Sequence, residues 1–374
     1  LLVRRLEPYR AAIAEVAEEY GLPVRIAGGR PLAHNPAVAA LLSLLRTMVP
    51  LAGPGEEPAL PRRAVVEVWR SPYFCWSCAA SADDPTPVGI RPEDARVLDA
   101  AARAGRAIRG LSQWQEALDL WAEREDGRRM DGPDEDVEEG TLGGEDAFRV
   151  GCPPAELRAR FRRFVVRMTP PVTGALREYV RWVEDLIGPD PLSASGERPP
   201  PPDTYSLRMV QSIREACGEG GSERGEATLA QADLAALQRF KEVLRGLVWA
   251  EEALGVGGPM DFGRFLQELA GAVDSARYEA PARGDRGEIV VAEVQAAAGV
   301  AFRALAVLGL AEGEFPASHR DDPFLTDGDR LAIREYRPAY RLPLRLESRE
   351  VEAFCRVASS AWERLLLTRP RLSE

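Results

Sequence analysis

The chain has few cysteines, no long apolar run, no excess of positive charge and no phosphate-binding glycine loop, and each absence removes a class of protein. Five cysteines among 374 residues are too few and too scattered for a disulfide framework, which fits a reducing compartment. The longest apolar runs, such as Ala304 to Ala311, fall far short of the roughly 20 residues that cross a bilayer. The N-terminus carries no basic-then-apolar secretory signal, so a cytoplasmic protein without membrane contact is expected. A formal net charge of −11 argues against holding nucleic acid by bulk electrostatics and leaves room only for a local basic surface. The pattern G-x-x-x-x-G-K-[ST] does not occur, and the Gly-rich stretch Gly218 to Gly225 has no lysine after its glycines. Nothing in the sequence therefore cradles a nucleotide's phosphates.

What is present suits a globular protein of two or three domains, with 45% hydrophobic residues and length enough for a sizeable core. Much of the acidity lies between Glu123 and Glu145, where few apolar residues offset the ordering entropy, and this stretch reads as a loop. The spacing Cys75-Trp-Ser-Cys78 is that of a redox or metal motif. It follows a helix-like stretch rather than a strand and has no second ligand pair near His34 or His319, so ordinary free cysteines are the simpler reading.

The hydrophobic period changes along the chain. Leu1 to Val3 reads as the end of a buried strand. A helix follows, with Pro8 in its first turn, Tyr9, Ile13, Val16 and Tyr20 on one face, and Gly21 as its stop. Val24 to Ala27 reads as a strand. Asn35-Pro36 caps a helix with Val38, Leu41, Leu42, Leu45 and Met48 inward. Helical stripes then dominate: Leu157, Phe161, Phe164, Val165 and Met168; Leu176, Tyr179, Val180, Val183 and Leu186; Leu234, Leu237, Phe240, Leu244 and Leu247. Pro199 to Pro202 and Gly218 to Gly225 read as linkers. Strand signals return at Ile289 to Val294, Ala304 to Leu310 and Leu365 to Leu367, with Val351, Phe354, Ala358 and Trp362 as a helical face. The expectation is an α/β domain, residues 1–55 and 285–374, with one parallel sheet covered by helices on both faces. A mostly helical domain, residues 56–284, interrupts it.

Several phrases carry a resemblance. Leu2-Val-Arg-Arg5 and Tyr20-Gly-Leu-Pro-Val-Arg-Ile26 resemble the fourth motif, and the strand after it, in the C-terminal half of superfamily 1 DNA helicases of the UvrD/Rep group. Pro31-Leu-Ala-His-Asn-Pro-Ala-Val38, Arg70-Ser-Pro-Tyr-Phe74, Val307-Leu-Gly-Leu-Ala-Glu-Gly-Glu-Phe-Pro316, Asp322-Pro-Phe-Leu325 and Asp329-Arg330 look more like AddB subunits of helicase-nuclease complexes. The resemblance implies a RecA-like fold with a large helical insertion, and a role in DNA repair or recombination. It implies ATP and magnesium as cofactors of a full-length parent, with none for this chain. The implied partners are single-stranded or partly duplex DNA, the N-terminal RecA-like half, and a motor or nuclease subunit. The chain, whose first residues already read as a strand, is expected to be a fragment. Three readings stay open: a non-catalytic helicase half, the second half of an active helicase, and an interaction module that keeps the fold.

In such motors, arginines of the second domain meet the γ-phosphate when the cleft closes. The resemblance places Arg4 in that role; the alternative is a solvated arginine at a strand end. The fifth motif, "H-x-A-K-G-L-E-F" in the family, reads Gln295-Ala-Ala-Ala-Gly-Val-Ala-Phe302, so Gln295, Ala298 and Ala301 stand at degenerate positions without the lysine or glutamate. The sixth, "V-A-x-T-R-A", places Ser360 where the arginine belongs, and Arg364 lies one helical turn away. The chain alone is therefore expected not to hydrolyse ATP.

Two arginine clusters are candidate nucleic-acid surfaces. Arg160, Arg163 and Arg167 share one helical face and would either track a phosphate backbone or be neutralised by nearby acids such as Glu156 and Glu178. Arg103, Arg106 and Arg109 recur every three residues ahead of Trp114 and Trp121, which would stack on bases if exposed and are more commonly core.

Overall fold

The computed structural model describes residues 1–51, 53, 55–77, 86–130, 152–191, 207–218, 224–279, 288–297, 299–311, 314–317, 322–337, 339, 342, 344 and 350–370. In chain order the elements begin with β1 (Leu2–Val3), α1 (Glu7–Glu19) and β2 (Val24–Ile26). Next come β3 (Arg30–Pro31), α2 (Pro36–Thr47), α3 (Arg62–Arg70), α4 (Asp94–Ala104), α5 (Leu111–Met130) and α6 (Pro154–Met168). These are followed by β4 (Thr173–Gly174), α7 (Leu176–Ile187), α8 (Met209–Gly218), α9 (Arg224–Leu254), β5 (Met260–Asp261), α10 (Phe262–Ser275) and β6 (Arg277–Tyr278). The chain closes with β7 (Ile289–Glu293), β8 (Phe302–Leu308), α11 (Asp327–Tyr336), α12 (Glu350–Ala358) and β9 (Ala361–Leu367). Among the described residues no helix is long and apolar enough to cross a membrane.

The chain is α/β, and it forms two compact units: Leu1–Gly29 with Ala282–Glu374, and Arg30–Pro281. The first unit is one five-stranded sheet in the order β2-β7-β1-β8-β9, and every pairing is parallel. Parallel strands are buried on both faces, and β1 shows this within two residues. Leu2 lies in a core with Ala292, Val307 and Val357; Val3 lies in another with Val291, packed by Tyr9, Val24 and Ile26. The strand expectations for both chain ends therefore meet in a single sheet.

Three local differences from the sequence expectation have physical causes. On α1, Tyr9 and Ile13 face the sheet but Val16 and Tyr20 are exposed and Ala17 is buried, because the inward position four residues after Ile13 is 17. Trp362 is not on the face of α12; the helix ends at Ala358 and Trp362 lies in β9, the sheet's edge strand, largely exposed. The acidic stretch expected as a loop from Glu123 starts as helix, since α5 continues to Met130; residues 131–145 lie outside the described residues.

The second unit is helical, its only paired strands among the described residues being two-residue segments, β3 with β6 and β4 with β5. One apolar core fills it, taking in the expected stripes of α6 and α7 in full and Leu237, Phe240 and Leu244 of α9. The expected cap of α2 is present: Asn35 Oδ1 accepts from the amides of Ala37 and Val38 at 3.0 and 3.3 Å, with Pro36 in the first turn. Yet α2 packs into this helical core, so the units divide after Gly29 rather than near residue 55. The stretch Gly218 to Gly225, expected as a linker, is helical at both ends, where α8 finishes and α9 starts; Pro199 to Pro202 lies outside the described residues. The chain's single lysine, Lys241, is buried in the same unit and donates to the Gly188 carbonyl at 2.5 Å and to Asp190 at 3.1 Å.

Candidate functional site

In a parallel sheet the carboxyl ends of the strands form the edge where ligands commonly bind. Arg4 follows β1 on that edge. Its guanidinium is met by a carboxylate, Nε donating to Glu350 Oε2 at 2.8 Å and Nη2 to Oε1 at 2.5 Å. This two-pronged geometry matches the fork of the guanidinium. Beside it, Glu293 at the end of β7 accepts from the Leu6 amide at 3.0 Å and fixes the turn after β1. Gln295, in the 3-10 turn Val294–Ala297, is exposed on the same edge.

The other motif positions lie elsewhere. Ala301 directly precedes β8 and Ser360 directly precedes β9, and the Phe302 amide donates to the Ser360 carbonyl at 2.8 Å. The register pairs Val3 with Leu308 and Phe302 with Ala361. Six residue steps of about 3.3 Å separate Phe302 from Leu308, so Arg4 and Ser360 stand on opposite edges of the sheet, about 20 Å apart. Ala298 lies outside the described residues.

On α6 the arginines are committed to protein partners. Arg160 pairs with Asp94 and with Glu156, Arg163 reaches Glu156 at 3.0 Å and the Val88 carbonyl at 3.4 Å, and Arg167 donates to the Thr86 carbonyl at 2.5 Å. The Arg160 hydrogen bond holds the Glu156 carboxyl below its usual range. Together the three tie residues 86–94 to α6. Arg160 and Arg163 also line a cavity of about 500 Å³ with Arg91, Ser77 and Thr86. Of the two readings of this face, these pairs favour neutralisation by nearby acids: helical spacing brought the arginines together, Asp94, far away in sequence, pairs with Arg160, and Glu156 pairs with Arg160 and Arg163.

The second cluster differs. Arg103, Arg106 and Arg109 are exposed, while Trp114 and Trp121 are core. Cys75 is half-buried, its amide bonded to the Leu207 carbonyl at 3.0 Å; Cys78 lies outside the described residues. Among the described residues no group of three or more His, Cys, Asp or Glu side chains is arranged to hold a metal.

A polar cluster that the sequence reading missed joins two of the quoted phrases. Asn35 Nδ2 donates to Asp233 Oδ1 at 2.8 Å and to Tyr278 Oη at 3.2 Å, and Tyr73 Oη donates to Asp233 Oδ2 at 3.1 Å. The only sequence signal was an aspartate set beside the apolar stripe of α9. Burial raises the Asp233 pKa against the two hydrogen bonds that lower it. A raised folded pKa contributes stability that is complete below about pH 4, the ordinary carboxylate value, and is lost as pH rises through the folded value. Asp233→Asn keeps an oxygen toward Asn35 while the Tyr73 hydroxyl turns to accept. The melting temperature of the wild type relative to this variant is therefore expected to fall as pH rises above about 4, over the window in which Asp233 ionises. A constant difference across that window would mean that Asp233 titrates as in the unfolded chain.

No family model and no curated protein matches the chain.

Proposed function

We propose that the chain is a RecA-like domain with a helical insertion, from a UvrD/Rep-type, AddB-like DNA helicase or helicase-nuclease subunit that works in DNA repair or recombination. On its own it binds DNA and does not hydrolyse ATP. The observation that carries this reading is the sheet: five parallel strands assembled from the two chain ends, with the residues between them forming a separate helical unit. The phrases fit that arrangement, Leu2-Val-Arg-Arg5 at a carboxyl edge and Asn35 and Tyr73 on one half-buried aspartate, Asp233.

The non-catalytic form of the reading is supported by charge. No glycine-lysine phosphate loop occurs in the sequence, and Ala301 and Ser360 offer no charge. Arg4 is matched by Glu350, so reaching a phosphate would require it to exchange one anion for another. ATP and magnesium belong to the parent's other half. A second reading, a docking module for a motor or nuclease subunit, draws on β9, whose Trp362, Leu365, Leu366 and Leu367 are exposed.

Calorimetric titration of the chain with ATP and magnesium at micromolar nucleotide is expected to give no binding heat. A micromolar dissociation constant would overturn the non-catalytic reading, because it would require a phosphate site in a chain without the loop that builds one.

A further inference from the structure

We propose that the single-stranded DNA contact of this chain is the surface formed by Arg62, Arg103, Arg106 and Arg109 around the exposed side chain of Ile108. The inference rests on the DNA-binding reading above and gives it a place.

The four arginines come from three consecutive pieces of the helical unit that are tied to one another. Arg62 at the start of α3 and Arg103 at the end of α4 both pair with Asp99. The turn after α4 closes with the amides of Gly105, Arg106 and Ala107 bonded to the carbonyls of Ala101, Arg103 and Ala102. Arg106 itself takes φ +57°, a backbone state that side chains other than Asn and Asp rarely adopt. The turn is then held from three sides. The amides of Ile108 and Arg109 both donate to Gln113 Oε1, at 3.0 and 3.2 Å. The Ile108 carbonyl accepts from the Arg62 amide at 2.9 Å, and the Gly110 amide donates to the Ala59 carbonyl at 2.6 Å. Arg106, Ile108 and Arg109 are thus displayed on fixed backbone, which lowers the ordering cost of binding.

Charge decides the partner's sign. Of the four guanidinium groups two are paired, Arg62 and Arg103 sharing Asp99, while the nearby Glu57 is engaged by the amide and hydroxyl of Ser112. Among the described residues Arg106 and Arg109 pair with no carboxylate. In the α6 cluster, by contrast, Arg160 and Arg163 each meet a carboxylate, Asp94 or Glu156. In a chain of net charge −11, a polyanion is drawn only to a local excess of this kind. Ile108, 72% exposed in the middle of it, selects among polyanions. A single strand turns base faces outward for an apolar side chain to cover, whereas a duplex stacks them inside.

The test is fluorescence anisotropy of a labelled oligothymidylate titrated with the chain over a range of salt. Wild type is expected to bind more weakly as salt rises. Arg103→Glu, Arg106→Glu and Arg109→Glu together are expected to lose at least about tenfold in affinity and to reduce the salt slope by about 2, three phosphate contacts at about 0.7 each. A gentler pair, Arg106→Asn with Arg109→Gln, breaks no ion pair among the described residues and suits the backbone at 106; a several-fold loss is expected, so misfolding of the triple variant cannot hide the answer. A folded variant of either kind with undiminished binding overturns this surface while leaving DNA binding in place. Wild type that does not bind at all overturns both the surface and the reading it rests on. Polyglutamate displacing the oligonucleotide as well as unlabelled oligothymidylate does would assign the surface to an acidic protein and overturn the proposal.

Discussion

Replacing Arg160 by alanine is expected to destabilise the helical unit by roughly 3–5 kcal/mol, the range for stripping one partner from a buried ion pair. Asp94, its partner, is 1% exposed, and the Arg160 side chain is 11% exposed. Without the guanidinium the Asp94 carboxylate keeps, among the described residues, the Arg91 amide at 2.8 Å. Glu156 loses one of its two arginines at the same time. The neighbouring pair of Arg158 with Asp119 supplies the control on the same helix: both side chains are more than half exposed. Arg158→Ala is therefore expected to change stability by no more than about 1 kcal/mol. Urea titrations followed by helical circular dichroism compare the two. Equal midpoints for the variants would mean that Arg160 is as solvated as Arg158.

The same cluster shows what the sequence could reveal. Helical spacing at 160, 163 and 167 correctly put three arginines on one side of α6, and the apolar stripe at 157, 161, 164, 165 and 168 correctly put the other side in the core. A periodic pattern reports on one element, so it could not show that Asp94 and the carbonyls of Val88 and Thr86 would meet the charged side. The assignment of α2 failed for the same reason. Its cap and inward face were legible from Asn35 to Met48, but which of two cores the face joins is settled by tertiary contact. Trp362 was misplaced because a short apolar run carries no signature that separates strand from helix. The strands β1, β7 and β8 were legible as apolar runs that reach buried positions in the sheet, and β9 was legible from its apolar run Leu365 to Leu367 although those residues are exposed at the sheet's edge. The motif order, by contrast, said nothing about edges. Arg4 follows its strand while Ser360 precedes its own, and in a parallel sheet that difference alone puts them at opposite ends.

Trp114→Ala is expected to cost about 3–5 kcal/mol, the range for removing a fully buried large aromatic side chain. The ring is inaccessible to solvent, lies 5.0 Å from the Phe161 ring between centroids, and donates from Nε1 to the Leu60 carbonyl at 2.8 Å. That carbonyl belongs to a residue held at φ +39°, so the indole also anchors an unusual piece of backbone. Trp114→Phe keeps most of the aromatic volume but leaves the carbonyl without this donor, and about 1–3 kcal/mol is expected for the unsatisfied acceptor. The ordering Ala worse than Phe, with both below wild type in urea midpoint, follows from burial and from the hydrogen bond together. A base-stacking tryptophan would behave in the opposite way, since an exposed ring contributes little to folding and its loss would show in oligonucleotide affinity instead. A Trp114→Ala chain that unfolds with the wild type but binds oligothymidylate more weakly would therefore place the ring on the surface. It would also remove the ring contact with Phe161 that joins α5 to α6.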